Sequence, residues 1–247
     1  MKLLSIGNSF SQDAQRYLHR IAAAAGESLK CVNLYIGGCS LRTHYFNILE
    51  NGKKYEFEFN GENTGILVTI KEALTSDSWD YVTLQQASPD SGHWETYQPY
   101  LSELIAYVKK YAPQAKLLLH ETWAYDNNDQ IKLEKAGFAK AEDMYRAVVE
   151  SYQRAAEEMQ AFGVIPSGHA VDRVIQNGIA CPYRDGFHMS FGVGRYLLGL
   201  LWFCYLTGRS PYDIPQISTD REITPEEYEI ICKTVADMRS QGWELKK

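Results

Sequence analysis

Apolar positions along the 247 residues fall into two patterns. Short apolar runs that stop at turn residues read as strands buried on both faces of a sheet. Stretches with an apolar residue every three or four positions read as helices. Leu3, Leu4 and Ile6 make the first run, which ends at Gly7-Asn8, and a helical pattern follows over residues 12–25. A second strand is predicted over 28–36, ending in Gly37-Gly38-Cys39-Ser40, with a short helix over 41–51. Residues 55–60 alternate, 61–65 read as a turn and 66–69 pair back, which predicts a β-hairpin insertion. Residues 70–75 look helical.

A third core strand is expected over 79–84, followed by a helix over 97–111. That helix carries Leu101, Leu104, Ile105 and Val108 on one face and ends at Pro113. The fourth strand is 115–119, two charged, Ala-rich helical stretches run to about 162, and 163–166 is a short fifth strand. After a helical stretch at 171–177 come a loop (181–190), a long apolar helix (191–207) and a last helix over 225–241, with Thr224 as N-cap and Pro225 at its first position. Strands alternate with helices throughout. This predicts one three-layer α/β/α domain over 1–247 with a five-stranded, mostly parallel sheet.

Composition narrows the function. With 45% hydrophobic and 13% aromatic residues the chain can bury a sizeable core. A net charge of -6 and no basic block argue against nucleic acid as a partner. The five cysteines (31, 39, 181, 204 and 232) are scattered and odd in number, so free, mostly buried thiols are expected. Neither a metal-ligand cluster nor a phosphate-binding glycine loop is apparent, so no metal and no cofactor are expected. The longest apolar stretch, 196–206, is too short to cross a bilayer. With no signal-peptide pattern at residue 1, the expectation is a cytoplasmic protein without a membrane partner. Oligomeric state is not set by the sequence.

Two segments carry candidate chemistry. Ser9 sits on a strand-to-helix turn, at the carboxyl end of a sheet where open α/β folds bind ligands. The helix N-terminus beside it suits an oxyanion. Near the other end, Asp185-Gly186-Phe187-His188 spaces a carboxylate three residues before an imidazole. Asp185 can then hold His188 Nδ1 and leave Nε2 free as a base, although the same residues also suit a plain helix cap.

Gly-Asn-Ser-Phe-Ser at residues 7–11, Gly-Gly-Cys-Ser-Leu at 37–41, the stretch from Trp79 to Ser88 and Asp-Gly-Phe-His at 185–188 together resemble the GDSL or SGNH hydrolase superfamily. The resemblance spans nearly the whole chain. It implies a flavodoxin-like sandwich and serine ester hydrolysis, with Ser9 as nucleophile, His188 as general base and then acid, and Asp185 orienting it. It further implies an oxyanion hole built from the N–H groups of Ser9 and Gly38 and an Asn side chain after the third strand. Here the chain departs from the pattern: Gln85-Gln86-Ala87-Ser88 stands in that place. Gln86 is the favoured substitute donor, with Gln85 and Ser88 as rivals. Asn8 stands where the family has Asp.

Glu121 and Trp123, after the fourth strand, are candidates for the substrate pocket, Trp123 as a stacking platform or else a buried aromatic. His93 is a further candidate in the loop after Gln86, whereas His169 reads as structural and His19, His44 and His120 receive no role. Cys39 is a rival nucleophile without a mark of thiolate character. The expected activity is removal of a small acyl group, acetyl above all, from a small-molecule or glycan ester. A non-catalytic glycan-binding protein and an acyltransferase with the same triad are the alternatives.

Overall fold

The structure, a computed structural model, describes residues 1–243. Leu3, Leu4 and Ile6 are wholly buried because strand β1 (Lys2–Gly7) is the central strand of the sheet. The others are β2 (Lys30–Tyr35), β3 (Tyr55–Phe59), β4 (Glu62–Val68), β5 (Tyr81–Leu84), β6 (Lys116–His120) and β7 (Gly163–Ile165), in the order β4-β3-β2-β1-β5-β6-β7. Strands β2, β1, β5, β6 and β7 are parallel, as the apolar runs predict.

The sheet has seven strands, not five. The hairpin adds to its edge: β3 pairs antiparallel with β2, from Val32↔Phe59 to Tyr35↔Glu56, so β2's outer backbone groups find partners. The turn is tighter than the expected 61–65. Asn60 and Gly61 both have positive φ (51° and 84°), the two-residue connection whose twist matches a hairpin, and β4 starts at once.

The helices are α1 (Ser9–Gln15), α2 (Leu18–Ala24), α3 (Leu41–Glu50), α4 (Ile70–Thr75), α5 (Tyr100–Tyr111), α6 (Gln130–Lys135), α7 (Ala141–Met159), α8 (Ser167–Gln176), α9 (Val193–Thr207) and α10 (Pro225–Ser240). The predicted helix over 12–25 is thus two. The first stops where the hairpin turn closes on it: a Cβ at Gly61 would overlap the carbonyl of Arg16. Helix α9 is buried along Val193–Leu206 and packs against α1, α2, α8 and α10, while α3, α4 and α5 form a separate group. Among the described residues no helix is long and apolar enough to cross a membrane.

His44 and His120 are fully buried, and burial pushes the pKa of each down from 6.5 to about 3. Both imidazoles fold neutral, so the unfolded chain binds more protons below pH 6.5. Their contribution is therefore complete above that pH and is lost as pH falls toward 3, on the order of a few kcal/mol each. Urea unfolding between pH 7 and 4.5 is expected to show stability falling with pH, with a shallower slope in His120→Gln and His44→Gln. An unchanged slope in both variants would contradict neutral burial.

Candidate active site

Strand β1 ends on a glycine because nothing larger fits: a Cβ at Gly7 would overlap Ser11 Oγ and lie 2.9 Å from Gln85 Oε1. Asn8 then caps α1. Its Oδ1 accepts from the Phe10 N–H (2.9 Å) and from Gln85 Nε2 (2.8 Å). Its Nδ2 donates to the carbonyl of Cys39 (3.1 Å), which ties the turn after β1 to the glycine loop after β2. An ionised Asp could not make that last bond, which accounts physically for Asn at this position. Ser9 is the first residue of α1, half-buried, and its N–H finds no acceptor among the described residues. The same holds for the N–H of Gly38, which is exposed and has a φ of +63°.

The distant segment reaches this turn. Ser9 Oγ lies 2.9 Å from His188 Nε2, and His188 Nδ1 lies 2.7 Å from Asp185 Oδ2. Asp185 Oδ1 also accepts the His188 N–H at 2.9 Å. Burial works to raise the Asp185 pKa, but the bonds from the His188 ring and backbone outweigh it and hold the carboxyl below its usual range. Gly186 makes the tight turn between them at φ +85°, and its carbonyl accepts the Asp126 N–H at 2.7 Å. A hydroxyl hydrogen-bonded to an imidazole whose far nitrogen is held by a carboxylate is an arrangement that can activate a serine.

Asp13, which the sequence reading missed, joins the two segments. It lies on α1 one turn beyond Ser9 and is fully buried. Its carboxylate accepts from Arg184 Nη1 (2.9 and 3.1 Å), Arg195 Nε (2.7 Å) and the Met189 N–H (2.9 Å). The helix that begins with Ser9 is thereby bonded to both sides of the Asp185–His188 turn and to α9. Because Ser11 and Gln15 on the same inward face are polar too, the pattern of α1 does not single Asp13 out.

Other expected site residues are not brought to Ser9. Gln86 is buried, and its Nε2 donates to Thr96 Oγ1 (2.9 Å) and to the Thr96 carbonyl (3.2 Å). Its Oε1 accepts the N–H groups of Leu41 and Ala87 at 2.9 Å each, so the favoured third oxyanion donor instead braces the start of α3. Gln85 is bonded to Asn8 and, through Oε1, to His120 Nδ1 (2.8 Å), and Ser88 Oγ pairs with the Tyr125 hydroxyl (2.8 Å).

Trp123 has no exposed surface. It stacks on Phe10 at 4.0 Å and donates Nε1–H to the Phe187 carbonyl (2.6 Å), so it supports the His188 turn from beneath and is no platform for a ligand. Glu121 is buried under His169, whose Nδ1 lies 2.9 Å from Oε1. Burial alone would lower the His169 pKa, but this bond and the Glu121 charge raise it. His93 bonds the Ala136 carbonyl (2.8 Å) and stacks on Phe138. Cys39 is buried, and burial pushes its thiol up to about 12, which leaves no thiolate to act as a nucleophile.

The sequence profile described as a domain of unknown function, DUF4886, matches residues 2–222. The chain belongs to this family. The crystal structure of a DUF4886 family protein from Bacteroides uniformis is 33% identical, with a TM-score of 0.88 over 96% of this chain and 93% of that one. A candidate SGNH hydrolase from Slackia heliotrinireducens is 23% identical, with a TM-score of 0.60 over 82% of this chain and 97% of that one. An acetylxylan esterase from Geobacillus stearothermophilus is 17% identical, with a TM-score of 0.51 over 81% and 91%. No curated protein matches. This DUF4886 chain therefore has the fold of the SGNH hydrolases, a mostly parallel sheet with helices around it.

Proposed function

We propose that the protein is a serine ester hydrolase. The observation that carries the reading is the chain Ser9 Oγ–His188 Nε2–Asp185, at 2.9 and 2.7 Å, assembled from segments 179 residues apart. In this reading Ser9 Oγ attacks the ester carbonyl while His188 Nε2 takes its proton. The N–H groups of Ser9 and Gly38 receive the oxyanion. His188 returns the proton to the departing alkoxide, leaving an acyl-enzyme, and then activates the water that releases the acid. Asp185 holds the ring in the required tautomer and balances the imidazolium charge.

The acyl group is small, acetyl above all, and the alcohol is a carbohydrate. Likeness in fold to a protein named an acetylxylan esterase is in keeping with this. With Gln86 turned to Thr96, the oxyanion is served by backbone donors alone. A missing side-chain donor costs roughly a hundred- to a thousandfold in rate, so modest turnover is part of the proposal.

Labelling with a fluorophosphonate probe followed by peptide mapping tests the assignment. The expected result is modification at Ser9 in the wild type and none in His188→Ala. A folded wild type that takes no label, or labelling at Ser9 independent of His188, would overturn it.

A further inference from the structure

Only one stripe of α1 is open to solvent. Phe10, Ser11, Asp13, Ala14 and Gln15 are buried, whereas Ser9, Gln12 and the following Arg16 are not. Positions three and four apart lie above one another on a helix, so this stripe runs about 10 Å down the side of the molecule from the Ser9 hydroxyl. It leads into a cavity of about 380 Å³, lined by Gln12, Arg16, Glu58, Asn63, Arg195 and Asp220. Glu58 and Asn63 come from the β3–β4 hairpin, and Phe191, three residues beyond His188, also lines the cavity.

Both guanidinium groups of this cavity and Asp220 are already paired inside the fold. Arg16 makes two bonds to Asp220, at 2.8 and 3.0 Å, and a further one to Glu62. Arg195 is held by Asp13. Glu58 is buried and accepts from Asn33 Nδ2 (2.7 Å) and from Gln12 Nε2, and burial raises its pKa. Among the described residues Glu58 has no cation partner, and burial favours its uncharged form, so the lining presents no set of free charges to select an ion. What remains is a wall of amide, guanidinium and carboxyl edges with spare donor and acceptor capacity, which suits a ligand rich in hydroxyl groups.

We propose that this cavity is the alcohol subsite of the enzyme and takes a neutral polyhydroxylated group of about one sugar ring, with the hairpin as its outer wall. This rests on the esterase reading for what happens at Ser9, but the binding itself does not.

Two measurements separate the two claims. In Ser9→Ala protein, titration with methyl glycosides of glucose, galactose, mannose and xylose, followed by amide NMR, is expected to shift the side-chain NH₂ signals of Gln12 and Asn63. No shift with any of the four at high millimolar concentration overturns the subsite whatever the enzyme hydrolyses. Shifts caused instead by acetate or by a diamine overturn its neutral character.

In the wild type, Asn63→Trp fills the cavity from an exposed position on β4. It is expected to lower kcat/KM for a mono-acetylated hexose about tenfold more than for p-nitrophenyl acetate, the equivalent of one or two lost hydrogen bonds. An equal effect on both esters also counts against the subsite. Absence of turnover for either ester, with shifts at Gln12 and Asn63 present, would sink the esterase reading and leave the binding site standing.

Discussion

Ser9→Ala is expected to lose about a millionfold in kcat on a small acetyl ester, and His188→Ala nearly as much, with no further loss in the double variant. The reason lies in the bond between them. Ser9 Oγ and His188 Nε2 share one proton at 2.9 Å, so removing either leaves the other without its task. Asp185→Ala should cost less, on the order of ten-thousandfold. Its side chain is 42% exposed and water can in part replace it as acceptor for Nδ1–H. What survives in all three should be the weak stabilisation provided by the Ser9 and Gly38 N–H groups. The checks are steady-state rates with a chromogenic acetate and circular dichroism to show that each variant is folded. Activity within tenfold of wild type in Ser9→Ala would end the nucleophile assignment.

The two ends of this bond were legible in the sequence because each is a local device. Gly7-Asn8-Ser9 is a turn and a helix cap in consecutive residues, and Asp185 to His188 is one turn of chain. The parallel strands were legible for the same reason, as runs of apolar residues. What was missed depends on direction or distance. Gln85 and Gln86 are neighbours at the end of β5, so their side chains leave on opposite sides: Gln85 turns toward Asn8 and Gln86 toward Thr96. Nothing in the residue type says which side faces Ser9. Trp123 could be exposed or buried by composition alone, and its stacking on Phe10 of another element decides the matter. The hairpin was legible, but its pairing to β2 was not, because the alternation of Tyr55, Phe57 and Phe59 would suit a free hairpin as well as a sheet edge.

Asp13→Asn should produce the largest effect of any change outside the three residues of the proposed triad. The bonds Asp13 makes to Arg184 and Arg195 span 171 and 182 residues, which is why no local pattern revealed them. Its carboxylate is wholly buried, and it faces two guanidinium groups and the Met189 N–H. An amide keeps one acceptor oxygen but turns an NH₂ toward the cations and removes the charge that balances them. Breaking a buried pair in this way costs about 3–5 kcal/mol, or roughly 10 °C in Tm for a chain of this size.

Loss of stability alone would leave the folded fraction active, and this separates a merely structural role from a positioning one. Arg184 immediately precedes Asp185 and Met189 follows His188, so each end of the turn loses its bond to α1 when Asp13 lets go. A displacement of about 1 Å at His188 is enough to lose a hundredfold in the chemical step. Well below its melting temperature, Asp13→Asn is therefore expected to show kcat and the rate of fluorophosphonate labelling at Ser9 reduced together by about a hundredfold, with KM changed little. Asp13→Glu, which restores the charge on a longer stem, should recover part of the rate. Folded Asp13→Asn that labels at the wild-type rate would show that the clamp holds the fold without holding the histidine.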